Sequence, residues 1–63
     1  MIKNPKVSVV IPVYNRENEI GFTIDSVINQ TFQDWELIIV DNKSTDNTVS
    51  IIRSYRDPRI KLI

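Results

Sequence analysis

The sequence predicts an α/β fold in which three parallel strands alternate with two helices. Runs rich in β-branched residues at 7–12, 35–41 and 60–63 have the composition of strands buried on both faces. Between them, apolar residues recur every three or four positions, the spacing of a helix with one buried face. The order β-α-β-α-β indicates a parallel sheet with right-handed crossovers. We therefore expect the strand order 3-2-1, with the chain ending inside its third strand.

The first half of the chain predicts a strand, a loop and a helix over 17–29. Residues 1–6 form a polar lead-in, and Pro12, which has no N–H to donate, ends the first strand. Asn15 is expected to cap the helix, with Glu17 and Glu19 in its first turn, where acidic side chains suit the helix dipole. The helical face is Ile20, Ile24, Val27 and Ile28.

Three residues in or after this half have expected packing roles. Gly21 lowers helix propensity by roughly 1 kcal/mol relative to alanine, which predicts a close contact at that position. Phe32, in the connection after the helix, is expected to fold back as an apolar plug. Trp35 is expected to be an anchor at the edge of the second strand.

The second half predicts a strand that stops at a polar segment, 41–48, and a helix over 45–55. The segment is rich in residue types that cap helices and make turns, and Asp46 is expected in the first turn. Pro58 ends the helix, because the residue before a proline is disfavoured in the α region. The predicted apolar face is Val49, Ile52 and Tyr55, backed by Thr48 and Ile51.

Asp41 is the leading candidate for function. Ligands of open α/β sheets bind just outside the carboxyl ends of the strands, which is where Asp41 stands. Two interpretations remain open from the residues alone, a turn residue or a ligand contact. Tyr14 follows the first strand at the same edge, so the two are expected side by side. For Tyr14, simple packing of the loop is the alternative.

The composition excludes several kinds of site and partner. The 63 residues include no cysteine and no histidine, which excludes a disulfide framework and a Cys/His metal site. Eight basic and eight acidic residues give no net charge, which argues against nucleic acid as a partner. Asp41 and Asp46 together are a weak metal signal that a turn explains equally well. The first residues lack a signal-peptide pattern, so we expect a cytoplasmic location, with any membrane attachment supplied by later residues.

Assembly follows from the predicted topology. Crossovers stepping in one direction place both helices on one face of the sheet, although alternation makes both faces apolar. An uncovered face and an open first strand predict self-association, most simply as a symmetric dimer.

Three stretches carry a resemblance to a known family. VSVVIPVYN, SVINQTFQDWELIIVDNKSTDNT and YRDPRIKLI resemble the start of the family 2 glycosyltransferases, which are inverting enzymes of GT-A fold. The resemblance covers nearly the whole chain. It rests on four motifs in order: Pro-x-Tyr-Asn, Ser-x-x-x-Gln-Thr-Phe, an Asp-rich turn and Asp-x-Arg.

The resemblance implies a nucleotide-diphosphate sugar, with uridine the usual nucleoside, as the donor. By position, Pro12, Val13, Tyr14 and Glu17 would line the nucleoside loop, and Asp41 would accept a hydrogen bond from the base. An ionised carboxylate only accepts, which suits the ring N–H of uracil. Tyr14 would offer a face for stacking.

The resemblance also implies what these residues lack. The family's metal-binding Asp-x-Asp and its catalytic base would fall beyond Ile63. We therefore expect Mg²⁺ or Mn²⁺ in the parent enzyme only, none on this chain, and no sugar transfer by this truncated N-terminal part alone. The family's second Asp and its Gly are here Asn42 and Lys43. The backbone bend is expected to move to Asn42, with the Lys43 side chain in solvent.

Two further hypotheses stay open. One is a small receiver-like or flavodoxin-like binding module, which also carries acidic residues at strand ends. The other is a non-catalytic piece that associates with other chains through its sheet. Binding of uridine diphosphate would distinguish the glycosyltransferase hypothesis from these two. The mass in solution tests association through the sheet.

Overall fold

The computed structural model describes residues 7–63, and the predicted lead-in, residues 1–6, lies outside them. The strands are β1 (Val7–Val13), β2 (Trp35–Asp41) and β3 (Ile60–Leu62). The helices are α1 (Ile20–Asn29) and α2 (Thr48–Arg53). We call residues 14–19 the β1–α1 loop and residues 42–47 the β2–α2 loop.

The sheet is parallel throughout, with β2 between β1 and β3. The order β1-β2-β3, read from the β3 edge, is the expected 3-2-1. Val7 pairs with Trp35 and Val13 with Asp41, while Leu37 pairs with Ile60. The predicted α/β class is confirmed.

Pairing of β1 continues through Pro12 to Val13, one residue further than expected. The Asn42 N–H donates to the Val13 carbonyl at 2.9 Å, so Val13 faces β2. Backbone groups of successive strand residues point to alternate sides, so the nitrogen of Pro12 faces the open edge. A proline at that position costs the ladder nothing.

Both helices start three residues later than predicted, and the predicted caps are wrong. Glu19 is the N-cap of α1, without a side-chain bond, and no acidic residue lies in the first turn of either helix. Asn15 has a positive φ of 50°, which is incompatible with its predicted role as the cap. A turn precedes α1 instead, in which the Arg16 carbonyl accepts the N–H of Ile20 at 2.8 Å.

The helix α2 ends at Arg53, two residues before the predicted end at residue 55, but the chain beyond it still turns. The N–H of Ser54 donates to the Ser50 carbonyl at 3.2 Å, and that of Tyr55 donates to the Ile52 carbonyl at 3.1 Å. The chain thus keeps turning beyond α2 with tighter bonds. The buried residues of α2 are Thr48 and Ile52, so Thr48 takes the inward place predicted for Val49.

The core lies between the two helices and one face of the sheet. Alternate residues of β2 face it, and both helices contribute, as predicted from the crossover rule. Its buried members are Val13, Ile20, Ile24, Trp35, Leu37, Ile39 and Ile52. Trp35 is fully buried rather than an edge anchor, and Phe32 is 44% exposed, so the plug prediction is wrong.

The opposite face of the sheet has no helix over it within residues 7–63. Val10 is 58% exposed and Val40 38% exposed. The face is less apolar than predicted, because Glu36 accepts hydrogen bonds there from the Ser8 hydroxyl, at 2.5 Å, and from the Lys61 ammonium, at 3.3 Å. The bond from Ser8, and to a lesser degree that from Lys61, lowers the pKa of Glu36.

Candidate functional site at the carboxyl edge of the sheet

The two loops at the carboxyl edge are joined by side chains that bond to backbone groups. The Asn15 N–H donates to the Ser44 hydroxyl at 2.9 Å, and the Thr45 N–H donates to the Asn15 side-chain carbonyl at 2.8 Å. Each loop therefore satisfies polar backbone groups of the other. We call this set of bonds the loop clasp.

Thr48 anchors the clasp from inside. It is fully buried, and its hydroxyl accepts the Arg16 N–H at 2.8 Å while donating to the Asp46 carboxylate. Asp46 also accepts the backbone N–H of Thr48 at 2.9 Å and that of Glu17 at 3.3 Å. Burial raises the pKa of Asp46, but the bonds from Thr48 and Glu17 outweigh it, so the pKa lies below its ordinary value.

Glu17 completes the clasp from the other side. Its carboxylate accepts the N–H of Asn47, the N-cap of α2, at 3.0 Å. A negative charge is favourable near a helix N-terminus. Glu17 therefore supports the start of α2 rather than α1, where the sequence pattern placed it, because the intervening loop brings the two helix starts together.

Asp41 is held by Ser44. One carboxylate oxygen accepts the Ser44 N–H at 3.0 Å, and the other accepts the Ser44 hydroxyl proton. This is the turn geometry that the residues alone allowed. Two bonds leave acceptor capacity on the half-buried carboxylate, because a carboxylate offers about four lone-pair sites. The turn role and a ligand contact are therefore compatible.

The backbone bend falls at Lys43, with a φ of 60°, and not at Asn42. Lys43 stands where the family motif has glycine, so the local geometry requires the left-handed region even without glycine. Asn15 and Lys43 are the non-glycine residues with positive φ among residues 7–63. Both lie in the loops at the carboxyl edge, and such conformations are common at functional sites. The Lys43 side chain is exposed, as predicted.

The predicted site residues all lie at or near this edge, in different settings. Tyr14 is 51% exposed and follows Val13, which pairs with Asp41. The Val13 side chain is buried in the core, whereas Pro12 is exposed. Glu17 lies in the clasp.

Two open hollows flank these residues. One of about 400 Å³ lies beside Asp41 and includes two cationic side chains, Lys43 and Arg53. The other, of about 260 Å³, lies along the free edge of β1 and includes Pro12 and Val13. Tyr14 lines neither hollow. The edge is thus an open surface rather than an enclosed cavity.

Within residues 7–63, no three Asp, Glu, His or Cys side chains are grouped closely enough to hold a metal ion. The two carboxylates considered from sequence, Asp41 and Asp46, are instead engaged by Ser44 and Thr48. The divalent metal that the resemblance implies would be held by an Asp-x-Asp beyond Ile63, outside these residues.

The amino edge holds contacts that sequence reasoning missed. The Arg59 guanidinium lies 3.8 Å from the centre of the Trp35 ring and donates to Asp57 at 2.6 Å and to the Gln33 carbonyl at 3.0 Å. The hydrogen bond from Arg59 lowers the pKa of Asp57. The Asp-x-Arg motif thus closes the amino end of the core. The sequence showed the Asp-x-Arg motif, but nothing in it indicated that Arg59 stacks on Trp35.

The family model described as "Glycosyl transferase family 2" matches residues 8–63. The chain belongs to glycosyltransferase family 2. With the parallel sheet and its loops, the match confirms the resemblance and favours a glycosyltransferase over a receiver-like or flavodoxin-like module.

Curated relatives carry the same family identity. A UDP-Glc:alpha-D-GlcNAc-diphosphoundecaprenol beta-1,3-glucosyltransferase of Escherichia coli is 44% identical over 57 residues, covering 90% of this chain and 22% of that protein. A poly(ribitol-phosphate) beta-glucosyltransferase of Bacillus spizizenii is 49% identical over 53 residues, covering 81% of this chain and 8% of its own length. The chain spans less than a quarter of the length of these relatives.

A solved structure shows the same fold. It is a mannosyltransferase from Pyrobaculum calidifontis in complex with GDP-Man and Mn²⁺, with a TM-score of 0.82 and 30% identity. The similarity covers 97% of this chain and 19% of that one. The strands and helices described here thus form part of a Rossmann-like GT-A fold. Within residues 7–63, neither helix is long and apolar enough to cross a membrane.

Proposed function

We propose that residues 1–63 are the N-terminal nucleotide-binding part of an inverting glycosyltransferase that transfers a sugar from a UDP-sugar to an acceptor. The observation that carries the proposal is the pairing of Val13 with Asp41, which brings Tyr14 and Asp41 to neighbouring strand ends. Strand ends of this kind are where open α/β sheets bind ligands.

In this proposal Tyr14 and Asp41 recognise the base. Tyr14 is 51% exposed, so its ring is free to stack, and base stacking on aromatic side chains contributes about 1–3 kcal/mol in single-strand binders. The half-buried Asp41 carboxylate accepts the ring N–H of uracil. Pro12, Val13 and Glu17 shape and support the loop around the nucleoside.

Two of the similar proteins indicate different bases for the donor nucleotide. The Escherichia coli relative is named for UDP-Glc, whereas the Pyrobaculum mannosyltransferase is in complex with GDP-Man. Uracil presents one ring N–H and guanine an N–H beside an amino group, and the acceptor capacity left on Asp41 serves either base. We favour uridine because it is the usual nucleoside that the resemblance implies and the Escherichia coli relative is named for UDP-Glc.

Titration of the ¹⁵N-labelled chain with UDP and with GDP tests this assignment. We expect shifts centred on the two loops, a preference for UDP, and millimolar affinity, equivalent to about 4 kcal/mol. In the full-length parent enzyme, Asp41→Ala should weaken UDP binding, measured by calorimetry, by about 1.5–3 kcal/mol, the value of a charge-assisted hydrogen bond. Glu36→Gln removes a carboxylate at the amino edge and is the matched control. Equal binding by wild type and Asp41→Ala would leave Asp41 as a turn residue only.

Catalysis is assigned to other parts of the parent protein. Divalent metal would be held there, by the Asp-x-Asp that the resemblance implies beyond Ile63. The 63-residue chain alone should therefore release no sugar from a nucleotide-diphosphate sugar. Turnover by the pure chain, measured by chromatography of the nucleotide product, would contradict the assignment.

We also propose that the 63-residue chain self-associates through its uncovered sheet face, as a homodimer in its simplest form. The exposure of Val10 and Val40 on one face favours this. Light scattering should report a dimer at high micromolar concentration, and Val10→Lys should lower the mass. A wild-type monomer at that concentration would show that the uncovered sheet face does not cause self-association.

A further inference from the structure

The carboxylate of Asp41 is held in a relay of hydrogen bonds that begins in the other loop. The Asn15 N–H donates to the Ser44 hydroxyl at 2.9 Å, and that hydroxyl gives its proton to Asp41. A serine hydroxyl has a single proton, so accepting from Asn15 directs that proton toward Asp41. The Ser44 N–H adds a second bond to Asp41 at 3.0 Å.

These bonds act on the one torsion that would otherwise be loose. The terminal torsion of an aspartate is broad and roughly two-fold, so a free carboxylate samples many orientations. Ser44 contacts both oxygens of Asp41 and therefore fixes the carboxylate plane. Hydrogen bonds weaken steeply with misalignment, so the fixed plane decides which donors the remaining lone pairs can accept.

The relay also connects the base contact to the loop that carries Tyr14. Asn15 is the next residue, and its positive φ of 50° turns its N–H toward Ser44. Its side chain is fixed as well, since its carbonyl accepts the Thr45 N–H at 2.8 Å. The stacking residue and the hydrogen-bonding residue are thus held in one frame.

We propose that Ser44 is a positioning residue for base recognition, which orients the Asp41 carboxylate toward the ring N–H of uracil. This inference rests on the function proposed above, since it requires Asp41 to read the base. The alternative is that Ser44 only supports the turn. A supporting role would change affinity for all nucleotides alike, whereas a positioning role changes discrimination at the ring N–H.

The experiment compares UDP with N3-methyl-UDP, which lacks that N–H, by NMR titration of the 63-residue chain. We expect wild type to prefer UDP and Ser44→Ala to lower this preference roughly fivefold or more, because the misaligned carboxylate loses a charge-assisted bond. Ser44→Thr keeps a hydroxyl and should retain the preference. Ser50→Ala, the loss of an exposed hydroxyl in α2 outside the clasp, should also retain it.

The outcomes separate the two proposals. A wild type without preference overturns base reading by Asp41, and this inference with it. A wild type that prefers UDP, with the same preference in Ser44→Ala, overturns the positioning role while the proposed function stands. If Ser44→Ala does not fold, Ser44→Gly also removes the hydroxyl, and an unchanged preference there is equally contrary.

Discussion

The two ends of the sheet are closed in different ways. At the amino edge, one cationic side chain, Arg59, lies over the buried Trp35 ring and pairs with Asp57. At the carboxyl edge, hydroxyl, amide and carboxylate groups of the two loops and of Thr48 bond to backbone N–H groups across the clasp. The amino edge thus closes with a few side chains on the core, and the carboxyl edge with a network of backbone contacts.

Backbone strain distinguishes the carboxyl edge, where we propose that the nucleotide binds, from the amino edge. Arg59 uses its donors on protein acceptors, and nothing at the amino edge has strained backbone within residues 7–63. At the carboxyl edge, Asn15 and Lys43 adopt positive φ, which costs stability that the clasp must offset. In the proposed function, these are the loops that present Tyr14 and Asp41 to the nucleotide.

The largest expected effect is that of a substitution at Thr48. The buried hydroxyl of this residue joins the two loops at the carboxyl edge. Thr48→Val keeps the shape but leaves the Arg16 N–H without its acceptor. We expect a loss of about 1–3 kcal/mol in unfolding free energy, the cost of leaving this part-buried N–H without its partner. Thr48→Ser, which keeps the hydroxyl, is the control. Urea denaturation measures both, and equal effects of the two variants would mean that the hydroxyl is dispensable.

Arg59→Lys tests the amino edge in the same assay. Lysine keeps the charge but loses the planar fork that bonds Asp57 and stacks on Trp35. We expect destabilisation smaller than that of Thr48→Val, because the guanidinium is partly exposed and screened. Arg56→Lys, at an exposed neighbouring position, should change nothing. A loss larger than that of Thr48→Val would reverse our ranking of the two edges.

Two substitutions that involve glycine compare the backbone strain at Lys43, in the β2–α2 loop, with the helix propensity at Gly21, in α1. Lys43→Gly should stabilise the fold by about 0.5–1 kcal/mol, because glycine adopts positive φ without a Cβ penalty. Gly21→Ala should stabilise it by a similar amount. The close contact predicted at Gly21 is loose enough for a methyl group, since an added Cβ would lie 3.6 Å from the Tyr55 hydroxyl. Thermal unfolding reports both, and a destabilising Lys43→Gly would show that the lysine side chain contributes contacts of its own.

The smallest effect concerns acid. The folded-state pKa values of Asp57 and Asp46 lie below their ordinary value of 3.8, so each contributes stability above that pH. This contribution is lost as the pH falls from about 4 through the folded pKa. Asp57→Asn should therefore reduce the amount by which the unfolding free energy falls as the pH drops below 4. An unchanged slope of unfolding free energy against pH would mean that Asp57 gains nothing from Arg59.

Periodicity and strand composition were sufficient for the elements, the parallel order and the covered face. β-branched runs at 7–11 and 37–40 specify buried strands, and the spacing from Ile20 to Ile28 specifies a helix, because these patterns act within a few residues. The position of Asp41 at a strand end followed from the same local signal. The position of Tyr14 directly after Val13, which pairs with Asp41, followed from parallel pairing alone.

The tertiary structure decided what each polar side chain does. Asn15, Glu17 and Asp46 have the local character of cap and first-turn residues, yet they bond across the clasp to partners about 30 positions away. Local propensities of polar residues amount to tenths of a kcal/mol up to about 1 kcal/mol, and bonds to otherwise unsatisfied backbone N–H groups outweigh them. The stacking of Arg59 on Trp35 was likewise invisible in sequence, because it depends on where β3 enters the sheet.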